Sequence, residues 1–207
     1  MAARKKDDPV DPRVLRAIAH PVRNRVLSEL SAIGPMRAAD VAQRIGIPAN
    51  QASFHLRQLA KYGLVEEAPE LARDRRDRVW RTQDEATELH LDGLDDSPGG
   101  KAAVSVFRRQ MSARAHVLVD SAYAFNKEKD TTVTVIEDSV ALTKDEAVEL
   151  AEELTELTKR WHARTKGRQQ GGRRTYHLLQ ILQPFPETAL GTGSNAGDDA
   201  AAVTDPD

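Results

Sequence analysis

Between residues 49 and 62 the chain places Asn50, Gln51, Ser53, Phe54, Arg57 and Lys61 among Ala52, Leu56 and Leu59. On a helix at 100° per residue the three apolar positions fall within about 60° of one another and must face a core. Asn50, Phe54, Arg57 and Lys61 then share the opposite side, flanked by Ser53 and Gln58. Those side chains suit the edges of base pairs. Asparagine can bind adenine through two hydrogen bonds, arginine can read guanine or hold a phosphate, and phenylalanine can press on a thymine methyl. An aromatic ring aimed away from the core also implies a surface that covers it, either a ligand or a neighbouring element of the same chain. A second basic group follows: Arg73, Arg75, Arg76 and Arg78 lie within six residues, interrupted by Asp74 and Asp77. Arginines on a hairpin tip suit backbone clamping or entry into a narrow minor groove.

The elements that must carry these residues can be read from capping signals and periodicity. Asp11-Pro12 opens a first helix with Val14, Leu15 and Ile18 as its stripe, and Pro21 restarts the chain as a second helix that buries Val22, Val26, Leu27 and Leu30. Gly34-Pro35 ends it. A third helix is expected over 37–45, with Arg37 near its start, a tight turn at Gly46-Ile47-Pro48, and a fourth helix over 49–62 stopped by Gly63. Residues 64–67 and 78–82 read as the arms of a hairpin whose tip holds the arginines. Two helices joined by a short glycine-containing turn form a helix-turn-helix, whose second helix can enter a major groove.

Composition narrows the alternatives. The chain has no cysteine, which excludes disulfides, thiolate metal sites and thiol nucleophiles. It lacks a glycine-rich phosphate loop, a nucleophile elbow and a His-Glu-x-x-His motif, so it is not expected to be an enzyme. Glu146, Glu149, Glu153 and Glu156 read as the solvated face of an amphipathic helix. The net charge of −2 hides an asymmetry, since residues 1–82 hold 16 basic and 10 acidic side chains while 187–207 hold five acids and no base. A basic unit on a neutral-to-acidic remainder is the footprint of a chain that meets polyphosphate at one end. No apolar run approaches a membrane span, and no secretory signal is expected at the N-terminus, so a cytoplasmic location is expected.

Three stretches in order, Ile18-Ala19-His20-Pro21-Val22-Arg23-Asn24-Arg25-Val26-Leu27, Ala39-Asp40-Val41-Ala42-Gln43-Arg44-Ile45-Gly46-Ile47-Pro48 and Ser53-Phe54-His55-Leu56-Arg57-Gln58-Leu59-Ala60-Lys61-Tyr62-Gly63-Leu64-Val65, resemble the ArsR-type winged helix-turn-helix regulators. The resemblance covers about residues 10–82. It implies a homodimeric, mostly bacterial, DNA-binding regulator, with the helix 49–62 in the major groove, the wing 66–81 beside the minor groove, and His20 and His55 as scaffold. Many members sense metals, either through cysteines, which are absent here, or through Asp/His pairs on a long C-terminal helix. His116 and Asp120 share a face of such a helix but are two ligands where a closed site needs four, so neither a metal nor another cofactor is expected.

The expected organisation is a disordered N-terminus (1–9), a winged helix-turn-helix domain (10–82), a linker (83–100), a dimerisation or effector region (101–186) and a disordered acidic tail (187–207). The fold class is mainly α with small β (α+β). Val104, Met111, Leu118 and Phe125 recur every seven residues on a helix over 101–127 that also carries Phe107. These positions are the expected dimer contact, although a partner helix in the same chain would satisfy the pattern too. Beyond it, 132–136 and 176–182 read as strands, and Thr143-Lys144-Asp145-Glu146 as a capping box opening a helix that buries Ala147, Leu150, Ala151, Leu154, Leu157 and Trp161. This appendix could take a small-molecule or protein effector or only enlarge the dimer. The partners expected are double-stranded DNA and a second copy; the rival reading is a winged helix used for protein interaction without specific DNA binding.

Overall fold

The computed structural model describes residues 11–73, 78–83, 99–124, 129–168 and 172–185. The expected N-terminal and C-terminal tails, most of the linker, the wing tip with Arg75 and Arg76, and Phe125 lie outside them.

Helix α1 (Pro12–Ala19) begins where Asp11 Oδ1 accepts the Arg13 N–H at 2.8 Å, so an otherwise unpaired first-turn donor is satisfied. Pro21 restarts the chain as α2 (Pro21–Ile33). The break between the two helices is closed by Arg23, whose Nε donates to the Ala17 carbonyl at 2.7 Å and whose terminal nitrogen donates to that of Arg16 at 2.9 Å. Carbonyls left orphaned at the end of α1 thus receive a cation, the sign its dipole favours. Burial lowers the pKa of that guanidinium, countered by the nearby Tyr62.

After Gly34 the chain makes a two-residue strand that sequence patterning did not reveal, β1 (Met36–Arg37), and enters α3 (Ala38–Ile45). Gly46, in the left-handed region at φ 73°, turns the chain. Its N–H and that of Ile47 both bond the Ala42 carbonyl, at 3.0 and 3.1 Å. Helix α4 (Ala49–Lys61) follows and ends in a Schellman arrangement, with Leu64 N–H on the Leu59 carbonyl and Gly63 N–H on that of Ala60. Strands β2 (Val65–Glu67) and β3 (Val79–Thr82) form the expected hairpin, and β1 adds to the other edge of β3, giving the antiparallel order β1-β3-β2. Met36 lies opposite Trp80, and Glu66 opposite Arg81.

Val26, Leu30, Met36, Val41, Leu56 and Trp80 belong to one core uniting α2, α3, α4 and the sheet. A second cluster joins Val14, Leu15 and Ile18 of α1 to Ala103 and Val104 of α5 (Gly100–Tyr123), with Phe107 packed at its edge. The first part of the α5 stripe is therefore used inside the chain. Met111 and Leu118, further along, remain partly exposed.

The C-terminal region departs from expectation. Helix α6 (Lys144–Thr165) has its capping box, with Thr143 Oγ1 accepting the Glu146 N–H at 3.3 Å and Glu146 Oε2 accepting the Thr143 N–H at 2.7 Å. Yet it buries none of its residues; Ala151, Leu157 and Trp161 are exposed, and Ala147, Leu150 and Leu154 are only partly covered. The expected strands over 132–136 and 176–182 do not form either. Their β-branched and apolar composition favours strands, but a strand exists only against a partner, and among the described residues neither segment has a ladder. The α+β character of the fold thus resides in the winged domain.

Candidate nucleic-acid interface

Helix α4 is fixed by four residues that point inward. Ala52, Leu56 and Leu59 are fully buried in the main core, and His55 is buried beside them. This side determines what the other presents. Asn50, Gln51, Phe54, Arg57 and Lys61 are exposed, with Ser53 and Gln58 half-buried at the flanks, as the helical arithmetic requires. Two of these side chains are engaged locally: Ser53 Oγ donates to the Ala49 carbonyl at 2.9 Å, and Asn50 Oδ1 accepts the Gln51 N–H at 2.9 Å. The Asn50 amide nitrogen, a hydrogen-bond donor, is not used in that bond. Phe54 keeps 49% of its surface and touches His55 edge-on, with ring centroids 5.4 Å apart. The ring is thus half exposed, and Lys61 Nζ sits 5.9 Å from the Tyr62 ring centre.

His20 and His55 stack at 5.1 Å between centroids, tilted by 44°, where the start of α2 meets α4. Burial lowers both pKa values, with further lowering from Arg23 at His20 and from His20 and Arg23 at His55. Their Nδ1 atoms and Asn24 Oδ1 are buried without a hydrogen-bond partner among the described residues. The pair sits behind the exposed face of α4, in a scaffold position.

The basic residues around α4 divide by their partners. Arg37 grips Asp40 through two bonds of 2.8 Å, from Nε to Oδ2 and from a terminal nitrogen to Oδ1. This contact, opposed by burial and aided by the charge of Arg73, lowers the Asp40 carboxyl pKa. The Arg37 guanidinium is therefore oriented by its own helix. On the wing, Arg78 pairs with Glu67 at 3.3 Å, and Arg81 bridges Glu66 and Glu70 at 2.6 Å each. Glu66 is lowered in pKa first by Gln83 and then by Arg81. Arg73 is exposed at the edge of the described wing.

One constellation was missed from sequence. Glu29 of α2 is 1% exposed; its Oε1 pairs with Arg25 at 2.9 Å, while Oε2 pairs with Arg44 of α3 at 2.9 Å and accepts the Thr175 hydroxyl at 2.7 Å. Nearby, Gly167 N–H donates to the Ile33 carbonyl at 2.9 Å, and Arg114 of α5 reaches both Ser28 and His177. His177 is lowered in pKa by burial and then by Arg114. The C-terminal region is thereby attached to α2 and, through Arg44 beside Glu29 and Thr175, to α3, the first helix of the helix-turn-helix. A signal existed: Glu29 falls on the buried stripe of α2 between Val26 and Leu30 and Ile33, where a carboxylate must have partners.

His116 Nδ1 lies 2.8 Å from the Ser112 carbonyl of its own helix, and no group of three or more metal-ligating side chains occurs among the described residues. No helix of the described chain is long and apolar enough to cross a membrane.

The helices α3 and α4, their turn and the adjoining hairpin are a winged helix-turn-helix. In agreement, a family model described as a helix-turn-helix domain matches residues 18–68. No curated protein matches the chain. Among solved structures it is similar to the YusO protein of Bacillus subtilis, at 13% identity over 72% of this chain and 84% of that one with a TM-score of 0.30. It is also similar to a ZitR mutant of Lactococcus lactis in apo form, at 15% identity over 69% and 83% with a TM-score of 0.32.

Proposed function

We propose that the protein is a sequence-specific DNA-binding transcription regulator of ArsR-like type, acting as a homodimer on a palindromic operator. The observation that carries this reading is the exposed stripe of Asn50, Phe54, Arg57 and Lys61 on a helix whose other side is locked into the core. A helix held that firmly presents its polar groups with little conformational freedom left to lose, which suits base reading. Asn50, Gln51, Ser53, Phe54 and Arg57 face base edges in this reading. Lys61, Arg37 and the wing arginines Arg73, Arg75, Arg76 and Arg78 contact phosphates or the minor groove. Two copies would set α4 in successive major grooves about 34 Å apart. Met111, Leu118 and Phe125 supply the α5 part of the dimer contact, with Val104 and Phe107 supporting it from within the chain.

The test is fluorescence anisotropy of the full chain against the duplex upstream of its own gene and a scrambled duplex, at two salt concentrations. Preference for the native duplex by a factor of about 10³ or more is expected. Affinity should fall by about 10³ to 10⁵ between roughly 50 and 200 mM salt if 6–10 phosphates are contacted. Equal, weak binding to both duplexes at both salts would overturn the reading and favour a protein-binding winged helix.

A further inference from the structure

Residues 131–185 contain fourteen large apolar side chains that are between 39% exposed at Leu142 and 85% exposed at Ile136. At about half exposure they offer on the order of 1,000 Å², above the ~800 Å² that a standard interface takes from each partner. A helix and two unpaired segments cannot close a core of their own, because a lone ribbon covers one face of one helix and leaves its other face in water. This surface is too large and too continuous along the sequence to be incidental.

Its chemistry selects one occupant. Glu137 and Asp138 end the first segment, and Arg173 and Arg174 begin the second. An antiparallel pairing that sets Asp138 opposite Arg174 also sets Ile136 opposite Tyr176 and Val133 opposite Leu179, so charge and apolar pairs fall into one register. The chain alone does not form this ladder. Within one chain the Thr132 N–H meets the Tyr176 hydroxyl at 3.3 Å, four positions from Gln180, its partner in this register, so the two segments of a single chain lie out of step. A second copy brings the same acidic-ended and basic-ended segments, and a two-fold axis satisfies both pairings at once and closes the surface.

We propose that residues 131–139 of one copy pair as a strand with residues 173–181 of a second copy, so that the two C-terminal regions share a single core with both α6 helices. The proposal rests on the homodimer part of the function proposed above and is independent of DNA binding. Because the protein has no cysteine, introduced thiols report on this pairing alone. A full chain carrying Val133→Cys is mixed with a size-tagged full chain carrying Leu179→Cys, and the mixture is oxidised. A disulfide between tagged and untagged chains, in excess over either homodisulfide, is expected; its absence overturns the proposal. In a chain carrying both substitutions, a disulfide that closes within one chain also overturns it. Sedimentation velocity separates this from the wider reading. The paired substitution Ile136→Lys with Ile181→Lys is expected to shift the dimer towards monomer at least tenfold while leaving the winged domain folded by circular dichroism. If that variant remains dimeric and Met111→Lys with Leu118→Lys becomes monomeric, the dimer stands and the shared core falls. If the unaltered chain is monomeric at micromolar concentration, both fall.

Discussion

Residues 11–83 and residues 131–185 use similar proportions of apolar side chains and end in opposite conditions. In the first, α2, α3, α4 and a three-stranded sheet surround Leu30, Leu56 and Leu59, each no more than 1% exposed. In the second, a 22-residue helix with a complete capping box has no buried residue. Caps and helical periodicity shape an element, whereas burial depends on how many faces meet. The winged domain has enough faces within one chain, and the C-terminal region has one helix and two unpaired segments.

The sharpest way to test this contrast is to delete the same side chain in both regions. Leu56→Ala should cost about 2–5 kcal/mol in urea unfolding, because it leaves a cavity in a closed core. Leu157→Ala, 43% exposed in the single chain, should cost under about 1 kcal/mol at high dilution. A Leu157 penalty as large as that of Leu56 at every concentration would show that the C-terminal region has a core of its own. The connection between the regions comes next. Glu29→Gln is expected to cost about 2 kcal/mol, since it strips two ion pairs of their buried carboxylate. It should also raise amide exchange in α6 more than in α4; equal effects on both would mean that Glu29 serves only the winged domain.

On the exposed side of the winged domain, Arg57→Ala should weaken operator binding by about 1–3 kcal/mol and relax preference at one base-pair position, with no change in melting temperature. Unchanged affinity and preference by anisotropy would remove Arg57 from the base-reading set. The helix caps give a finer comparison. Asp11→Ala should lower stability by about 1 kcal/mol by urea unfolding. Thr143→Ala removes an equivalent bond and should register only at concentrations where the C-terminal regions associate. The smallest effect is that of pH. His20 and His55 have pKa values below the ordinary 6.5 in the folded chain, so the unfolded chain binds more protons as acid is added. Their contribution is therefore complete above about pH 6.5 and is lost as pH falls below it. Thermal melts should fall from pH 7.5 to 5.5, and less so in His55→Gln; a melt that rises over this range would contradict the sign.

What could be read from the sequence follows the same division. Helices α1 to α4 were legible because Pro12, Pro21, Gly46 and Gly63 mark their ends and apolar residues recur at helical spacing between them. The outward stripe of α4 followed from where its leucines had to point. Strand β1 was hidden, since Met36 and Arg37 are two residues without a pattern of their own and pair only because β3 passes beside them. At 132–136 the error ran the other way: the residues favour a strand, and pairing depends on a partner that local composition does not encode. The amphipathic stripe of α6 was likewise visible, but a stripe states only that something covers it. Glu29 escaped notice because its partners Arg44 and Thr175 are far away in the sequence.

That distance has a consequence for the order in which the chain assembles. The Thr175 to Glu29 hydrogen bond joins residues 146 positions apart, whereas the turns and helix ends around α3 and α4 are closed by bonds between near neighbours. Contacts of such span carry a large loop-closure cost and form after local ones. During synthesis the helix-turn-helix and its wing emerge and can close their core before residue 175 exists, and the C-terminal segment then docks onto a finished surface. The nascent chain therefore acquires α4 and its exposed stripe first, and the attachment that connects it to residue 175 forms later.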